Sequence, residues 1–338
     1  MQTQGFVLTT LSKLAQAMKK DTSFIRDALP SLQTDVATIR NKQNLQWDAQ
    51  KLQQHNTIIQ WLSPTDFPTQ QHDIISRRQE GTGQWFLDTP EFKRWLRGSD
   101  KTLFCPGIPG AGKTMIAAIA IDQLCGMMQS DDVGVAYLFC SYKAQTDQCA
   151  SSLFAALLKQ AVQNRPDIAA PMTQIYELHS KRGSKPSFSD ILQTLQSVFS
   201  AYTTIFIVVD ALDECSDREG ARGQVIDKLQ ELQNGKDIRL LFTSRFIPEI
   251  TQKFDSKYTI EVRASEEDVK RFIEGRIQRL PGFIQRDEKL KLAIQNKIVE
   301  AADGMQVQSI VRMMRAFSLT GLTGSFLRVC ISTPFSIR

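Results

Sequence analysis

The segment Gly107-Ile108-Pro109-Gly110-Ala111-Gly112-Lys113-Thr114 constrains this chain more than any other. It has the spacing G-x-x-x-x-G-K-T, with the apolar run Leu103-Phe104-Cys105 ahead of it and Met115-Ile116-Ala117-Ala118-Ile119-Ala120 behind it. A strand, a glycine turn and a helix in that order wrap the turn around the strand end, so that backbone N–H groups converge in front of the helix N-terminus. That concavity suits the α- and β-phosphates of a nucleotide. Lys113 then reaches the β- and γ-phosphates, and the Thr114 hydroxyl is a hard oxygen ligand suited to Mg²⁺.

Such a loop works with a carboxylate at the end of a neighbouring buried strand. Thr204-Ile205-Phe206-Ile207-Val208-Val209 is apolar and β-branched throughout, as a strand covered on both faces should be, and it ends in Asp210. Asp210 is the expected metal carboxylate. The residues that follow, Ala211-Leu212-Asp213-Glu214-Cys215, have a small residue and then paired acids. This resembles the extended second motif of the NACHT family of signalling NTPases. The resemblance implies that one of Asp213 and Glu214 orients or deprotonates an attacking water, and leaves open which. A third run, Ile238-Arg239-Leu240-Leu241-Phe242, ends in Thr243-Ser244-Arg245. It is similar to the sensor strand of the same family, which makes Arg245 the implied reader of the γ-phosphate.

Further elements alternate in type. Strands are expected at 103–106, 133–140, 204–210, 238–243 and 258–263, with helices at 112–127, near 149–163 and 188–200, at 221–233 and at 266–279. This alternation describes an α/β P-loop NTPase with a mostly parallel, doubly wound sheet, whose ligands sit at the carboxyl ends of the strands. Five regions are read along the chain: an N-terminal helical region at 1–62, a linker and pre-core segment at 63–100, the core at 101–264, a partial helical lid at 265–303, and an irregular tail at 304–338. No acidic residue follows Asp303.

The block Trp61-Leu62-Ser63-Pro64-Thr65-Asp66, the turn Gly81-Thr82-Gly83-Gln84-Trp85 and the pair in Phe92-Lys93-Arg94-Trp95-Leu96 resemble the run-up to the phosphate loop in fungal NACHT proteins with a nephrocystin-3-like N-terminal domain. The similarity extends over about residues 60–303. Two readings of the glycine turn stand: it closes over the base and ribose, or it packs the connecting segment onto the core.

Members of that family, of the STAND type, are switches: diphosphate holds a closed monomer, triphosphate opens it, and slow Mg²⁺-dependent hydrolysis resets it. The resemblance thus implies a fungal signal-transducing NTPase linked to non-self recognition of the heterokaryon-incompatibility kind. Its cofactors would be Mg²⁺ and ATP or GTP. Self-assembly or an effector partner would engage the N-terminal helices. No ankyrin, WD or tetratricopeptide period follows the core, so the chain reads as truncated before the C-terminal repeats of such proteins. A P-loop kinase or ATPase with true turnover, and a non-hydrolysing scaffold stabilised by nucleotide, are the competing classes.

Composition narrows this little. In 338 residues, 42% hydrophobic and 23% charged is ordinary for a soluble protein. The net charge of +5 is spread rather than clustered with aromatics, which points away from nucleic acid as a partner. The 6 cysteines include no C-x-x-C pair and the histidines number 3, so neither a zinc site nor a disulfide framework is legible, and reduced thiols in a cytoplasmic protein are expected. No run of ~18 apolar residues occurs to span a membrane.

Overall fold

Four short runs rich in β-branched and aromatic residues form one parallel sheet. They are β1 (Thr102–Pro106), β2 (Val133–Phe139), β3 (Thr204–Asp210) and β4 (Asp237–Ser244), in the order β1-β4-β3-β2. In this computed structural model, residues 51–277 are described except 128–129, 145–147, 164, 218–219 and 264, with a few further positions between 286 and 292. The expected helical region before residue 51, most of the expected lid at 265–303 beyond Ile277 and the tail at 304–338 lie outside the described residues. The chain divides into two compact units, Met1–Thr57 and Ile58–Arg338. Of the first, residues 51–57 are described and are helical.

The register brings the carboxyl ends of the strands level. Pro106 lies opposite Ser244, Val209 opposite Phe242, and Phe139 opposite Asp210. Whatever follows β1, β3 and β4 therefore gathers on one rim, which is where open α/β sheets bind ligands. β3 is buried from Ile205 to Asp210, in keeping with its unbroken apolar sequence.

Between the helical residues 51–62 and the sheet lie α1 (Phe67–Ile75), α2 (Gln84–Asp88) and α3 (Pro90–Arg97). Asp66 caps α1 by accepting from the Thr69 N–H at 3.1 Å, and Thr89 caps α3 by accepting from the Phe92 N–H at 3.3 Å, each with a proline in the first turn. Phe67, Phe86, Phe92 and Trp95 are fully buried, and Trp95 meets Phe206 of β3 edge-on at 5.3 Å. The segment between the N-terminal region and the phosphate loop thus contributes a row of aromatic side chains to the core. Two buried polar side chains tie it down: Lys159 donates to the carbonyls of Ser63 and Thr65 at 2.9 and 3.0 Å, and Gln71 donates to the Ala118 carbonyl at 2.9 Å.

Helix α4 (Lys113–Met127) is rich in apolar residues, and seven of them are buried against β2, β3, β4 and α1. Then come α5 (Ala150–Gln163), α6 (Ala170–Ser180), α7 (Phe188–Phe199), α8 (Ala221–Leu232), the short α9 (Pro248–Thr251) and α10 (Glu266–Ile277). The β1-to-β2 connection crosses the sheet in one direction and the next two return, so right-handed crossovers place α4 on one face and α5, α7 and α8 on the other. Packing of α5 on α7 and α8 agrees with that. Helix α6 had no counterpart in the sequence reading.

The strand expected at 258–263 is reduced to a single bridge, Thr259 to Phe104, flanked by Ile260 N–H donating to the Phe104 carbonyl at 2.9 Å and Val262 N–H to the Pro106 carbonyl at 2.7 Å. The segment runs alongside β1 without becoming a regular strand, because Ser256–Tyr258 forms a tight helical turn immediately before it.

Candidate functional site

The glycine turn after β1 adopts the backbone shape its composition requires. Gly110 and Gly112 have φ of 80° and 93°, and a side-chain carbon on Gly107 would lie 2.5 Å from the Val262 carbonyl oxygen. Gly107 N–H donates to the Ser244 carbonyl at 3.0 Å, which docks the loop on the end of β4. Ile108 and Pro109 are exposed at the crest, while Ala111 is buried beneath it. Lys113 opens α4 and folds back, its ammonium donating to the carbonyls of Gly107 and Ile108 at 2.8 and 2.9 Å. Burial lowers its pKa, and the nearby carboxylates of Asp213 and Asp210 pull the other way.

Asp210 stands buried at the end of β3, with Thr114 nearby. Burial pushes its carboxyl up to about 6, opposed by hydrogen bonds from Thr243 and Thr114 and by the Lys113 charge. Thr243 donates to Asp210 Oδ1 at 2.6 Å and accepts from the Ala211 N–H at 2.9 Å. Among the described residues Ala211 is the one non-glycine with positive φ, at 57°. The chain turns sharply there, and Glu214 N–H closes onto the Ala211 carbonyl at 2.7 Å, so that Leu212–Glu214 forms one tight helical turn.

That turn separates the two acids. The Asp213 side chain is 2% exposed and is held twice by one residue: Arg245 N–H donates to Oδ1 at 3.1 Å and Arg245 Nε to Oδ2 at 2.9 Å. Glu214 is 30% exposed, accepts from the Tyr142 N–H at 3.3 Å, and lies 3.9 Å from Arg245 Nη2. Arg245 also sits over the Tyr142 ring at 5.8 Å. All the residues singled out from the sequence therefore converge on one rim.

Three supports of the site were not legible in the sequence. Thr243 is one; it sits in a motif whose arginine drew the attention. Gln148 is buried and brackets the end of β2, accepting from Ser141 N–H at 2.9 Å and donating to the Phe139 carbonyl at 3.0 Å. Cys140 and Cys215 are the third: both are buried and their thiols lie near each other, an interaction that raises the pKa of Cys140 and lowers that of Cys215. This contact fastens the turn after Asp210 to β2, although the cysteines are far apart in sequence.

Beside the loop lies an apolar cavity lined by Trp85, Met115, Ile116, Ile119, Val269 and Phe272, with Gly83, Gly112 and Asp268 at its margin. The glycine turn at 81–83 is its wall. Asp268 Oδ2 accepts from both the Gly83 N–H and Trp85 Nε1 at 3.0 Å, and Arg271 donates to the Gly81 carbonyl at 2.8 Å, so α10 is stitched to the turn. Trp85 faces this cavity while Phe86 is buried in the core.

The donors present fit magnesium: a hydroxyl and one buried carboxylate, both hard oxygens, to which waters and phosphate oxygens would add. Among the described residues no group of three or more His, Cys, Asp or Glu could cage a metal alone. Thr114 and Asp210 would hold such an ion, which would supply charge neutralisation at the phosphates.

The raised pKa of Asp210 has a cost in stability that can be measured. A carboxyl titrating near 6 when folded and near 3.8 when unfolded favours the folded state while protonated; that stability is complete below 3.8 and is lost as pH rises through 6. At pH 7.5 the buried charge costs on the order of 3 kcal/mol. Asp210→Asn, free of nucleotide and metal, is therefore expected to be about 3 kcal/mol more stable than wild type in urea at pH 7.5, and the difference should shrink by pH 4. An asparagine variant no more stable at pH 7.5 would contradict this.

Residues 81–245 match the family described as Nephrocystin 3, N-terminal. No curated protein matches the chain. Among solved structures it is similar to the Drosophila ORC bound to DNA (15% identity over 61% of this chain and 48% of that one, TM-score 0.36). It is likewise similar to the Aeropyrum pernix ORC1 protein in complex with DNA (13%, 68% and 56%, 0.43) and to Cdc6p from Pyrobaculum aerophilum (13%, 77% and 72%, 0.41). The chain spans about half the length of the first two. Its core is an α/β P-loop NTPase core, by motif, sheet order and family match. Among the described residues no helix is long and apolar enough to cross a membrane.

Proposed function

We propose that this protein is a nucleoside-triphosphate-binding switch of the NACHT and STAND type, with slow Mg²⁺-dependent hydrolysis. The observation that carries the reading is convergence: the amide cradle at 107–112, the Lys113 ammonium, the Asp210–Thr114 pair and Arg245 meet at the level ends of three strands. The phosphates would lie in the cradle with Lys113 released from the loop carbonyls onto their oxygens. The neighbouring apolar cavity would take a purine, sandwiched between the 81–85 turn and α10. ATP is favoured over GTP, since the Asn-Lys-x-Asp guanine signature is missing from the chain.

On this reading the acids divide the labour. Asp213, buried and doubly bonded to Arg245, positions the arginine to read the γ-phosphate. Glu214, on the open side of the turn, is the group that would orient or deprotonate water. A switch is favoured over a turnover enzyme by the stitching of α10 to the glycine turn, because a base entering the cavity would touch both and thereby bias the lid. By the same resemblance, the setting would be fungal signal transduction of the non-self recognition kind, with the N-terminal helices engaging a second copy or an effector.

The test is to identify the nucleotide released when purified protein is denatured, and to measure steady-state hydrolysis with Mg²⁺. A retained nucleotide and slow turnover support the switch. Rapid turnover with a phosphorylated acceptor would move the assignment to a kinase, and absence of any hydrolysis would move it to a scaffold.

A further inference from the structure

Thr243 is fully buried at the carboxyl end of β4, and its hydroxyl is used twice. A hydroxyl has one proton to give. Asp210, when ionised, can only accept and the Ala211 amide can only donate, so the orientation is forced: the Thr243 proton points to Asp210 Oδ1 and a lone pair faces Ala211 N–H. One oxygen atom thus touches both the metal carboxylate and the first peptide of the turn that carries Asp213 and Glu214.

Each contact has a consequence at a different part of the site. A carboxylate at a strand end can rotate about its own bond; committing Oδ1 at 2.6 Å stops that rotation and leaves Oδ2 as the oxygen available to a metal or its waters. Ala211 holds a left-handed conformation that L-residues resist, and the bond to its N–H at 2.9 Å helps to hold it. β4 itself has no need of either bond, since its backbone is already paired in parallel register with β1 and β3. A valine would fill the same volume on the same strand.

We propose that Thr243 is a positioning residue that sets both acidic arms of the site through one hydroxyl, fixing the Asp210 carboxylate toward the metal position and the Ala211 turn that aims Glu214. This inference rests on the nucleotide-site reading above. It predicts an uncoupling: loss of the hydroxyl weakens what depends on the metal and spares what depends on the amide cradle and Lys113, which hang on β1 and α4.

The experiment is titration calorimetry of the full chain with a non-hydrolysable ATP analogue, with Mg²⁺ and again with EDTA, for wild type, Thr243→Val and Thr243→Ser. Thr243→Val is expected to keep its EDTA affinity within about threefold of wild type while losing ~10-fold or more of the gain that Mg²⁺ confers, and Thr243→Ser is expected to restore that gain to within about threefold. An unchanged gain in Thr243→Val, an equal loss with EDTA, or failure of serine to rescue overturns the proposal. Should Thr243→Val not fold, Thr243→Cys, whose thiol is a weak donor, carries the same comparison. If wild type binds no nucleotide under either condition, it is the nucleotide-site reading that falls.

Discussion

A Lys113→Ala protein is expected to bind ATP and GTP analogues at least ~100-fold more weakly than wild type, a loss of about 2.7 kcal/mol or more, with little change in stability. The geometry explains why affinity and stability should part company. In the free protein the Lys113 ammonium spends its hydrogen bonds on two carbonyls of its own loop, Gly107 and Ile108, at 2.8 and 2.9 Å. Those bonds are local, and burial works against the charge that makes them. Removing the amine therefore relieves a desolvated cation as it deletes two bonds, and the two effects oppose each other. On a polyphosphate the balance would differ: the amine would face several formal negative charges, and no other lysine lies in the turn. Calorimetric titration and a urea melt on the same preparations decide it. Wild-type affinity in Lys113→Ala would remove the phosphate site, and with it the functional reading.

Most of this site was readable from sequence because its parts are local or periodic. The glycines of the loop need backbone shapes that other residues resist, and the positive φ of Gly110 and Gly112 is the direct expression of that. Asp210 was marked by the length of apolar chain before it, since a strand covered on both faces has to end where a charge begins. What escaped was whatever depends on register between strands. Thr243 and Ala211 are far apart in the chain and meet because β3 and β4 run level; no spacing in the sequence encodes that. The Cys140–Cys215 contact has the same origin, through the pairing of Phe139 with Asp210. Helix α6 was missed for another reason: Ala170-Pro171 opens it, Met172 and Ile175 are its only buried residues, and so narrow a stripe gives a weak helical period. At 258–263 the opposite happened, because β-branched residues suggested a strand where the chain makes only one bridge to β1.

The choice between the two acids, which the sequence left open, yields the second large effect. Glu214→Gln is expected to slow single-turnover hydrolysis ~100- to 1,000-fold while leaving triphosphate affinity within about threefold, since a glutamine at that place keeps the shape and the acceptor for Tyr142 N–H but cannot take a proton. Asp213→Asn should behave differently. Its side chain is sealed from water and faces Arg245, so the amide keeps one acceptor for the Arg245 N–H and loses the charge that holds the guanidinium at 2.9 Å. The expected result is a ~10-fold fall in the preference for triphosphate over diphosphate, with a smaller loss in the hydrolytic step than Glu214→Gln shows. Arg245→Lys should resemble Asp213→Asn in this respect, because a single ammonium cannot reproduce the planar pairing with Asp213 and the stacking on Tyr142 together. Rapid-quench measurements of the bound triphosphate separate the hydrolytic step from binding. If Asp213→Asn is the slower of the two acids' variants, or if both lose hydrolysis equally, the assignment of Glu214 as the water-activating group is wrong, and the buried aspartate must reach the substrate through a rearrangement of the Leu212–Glu214 turn.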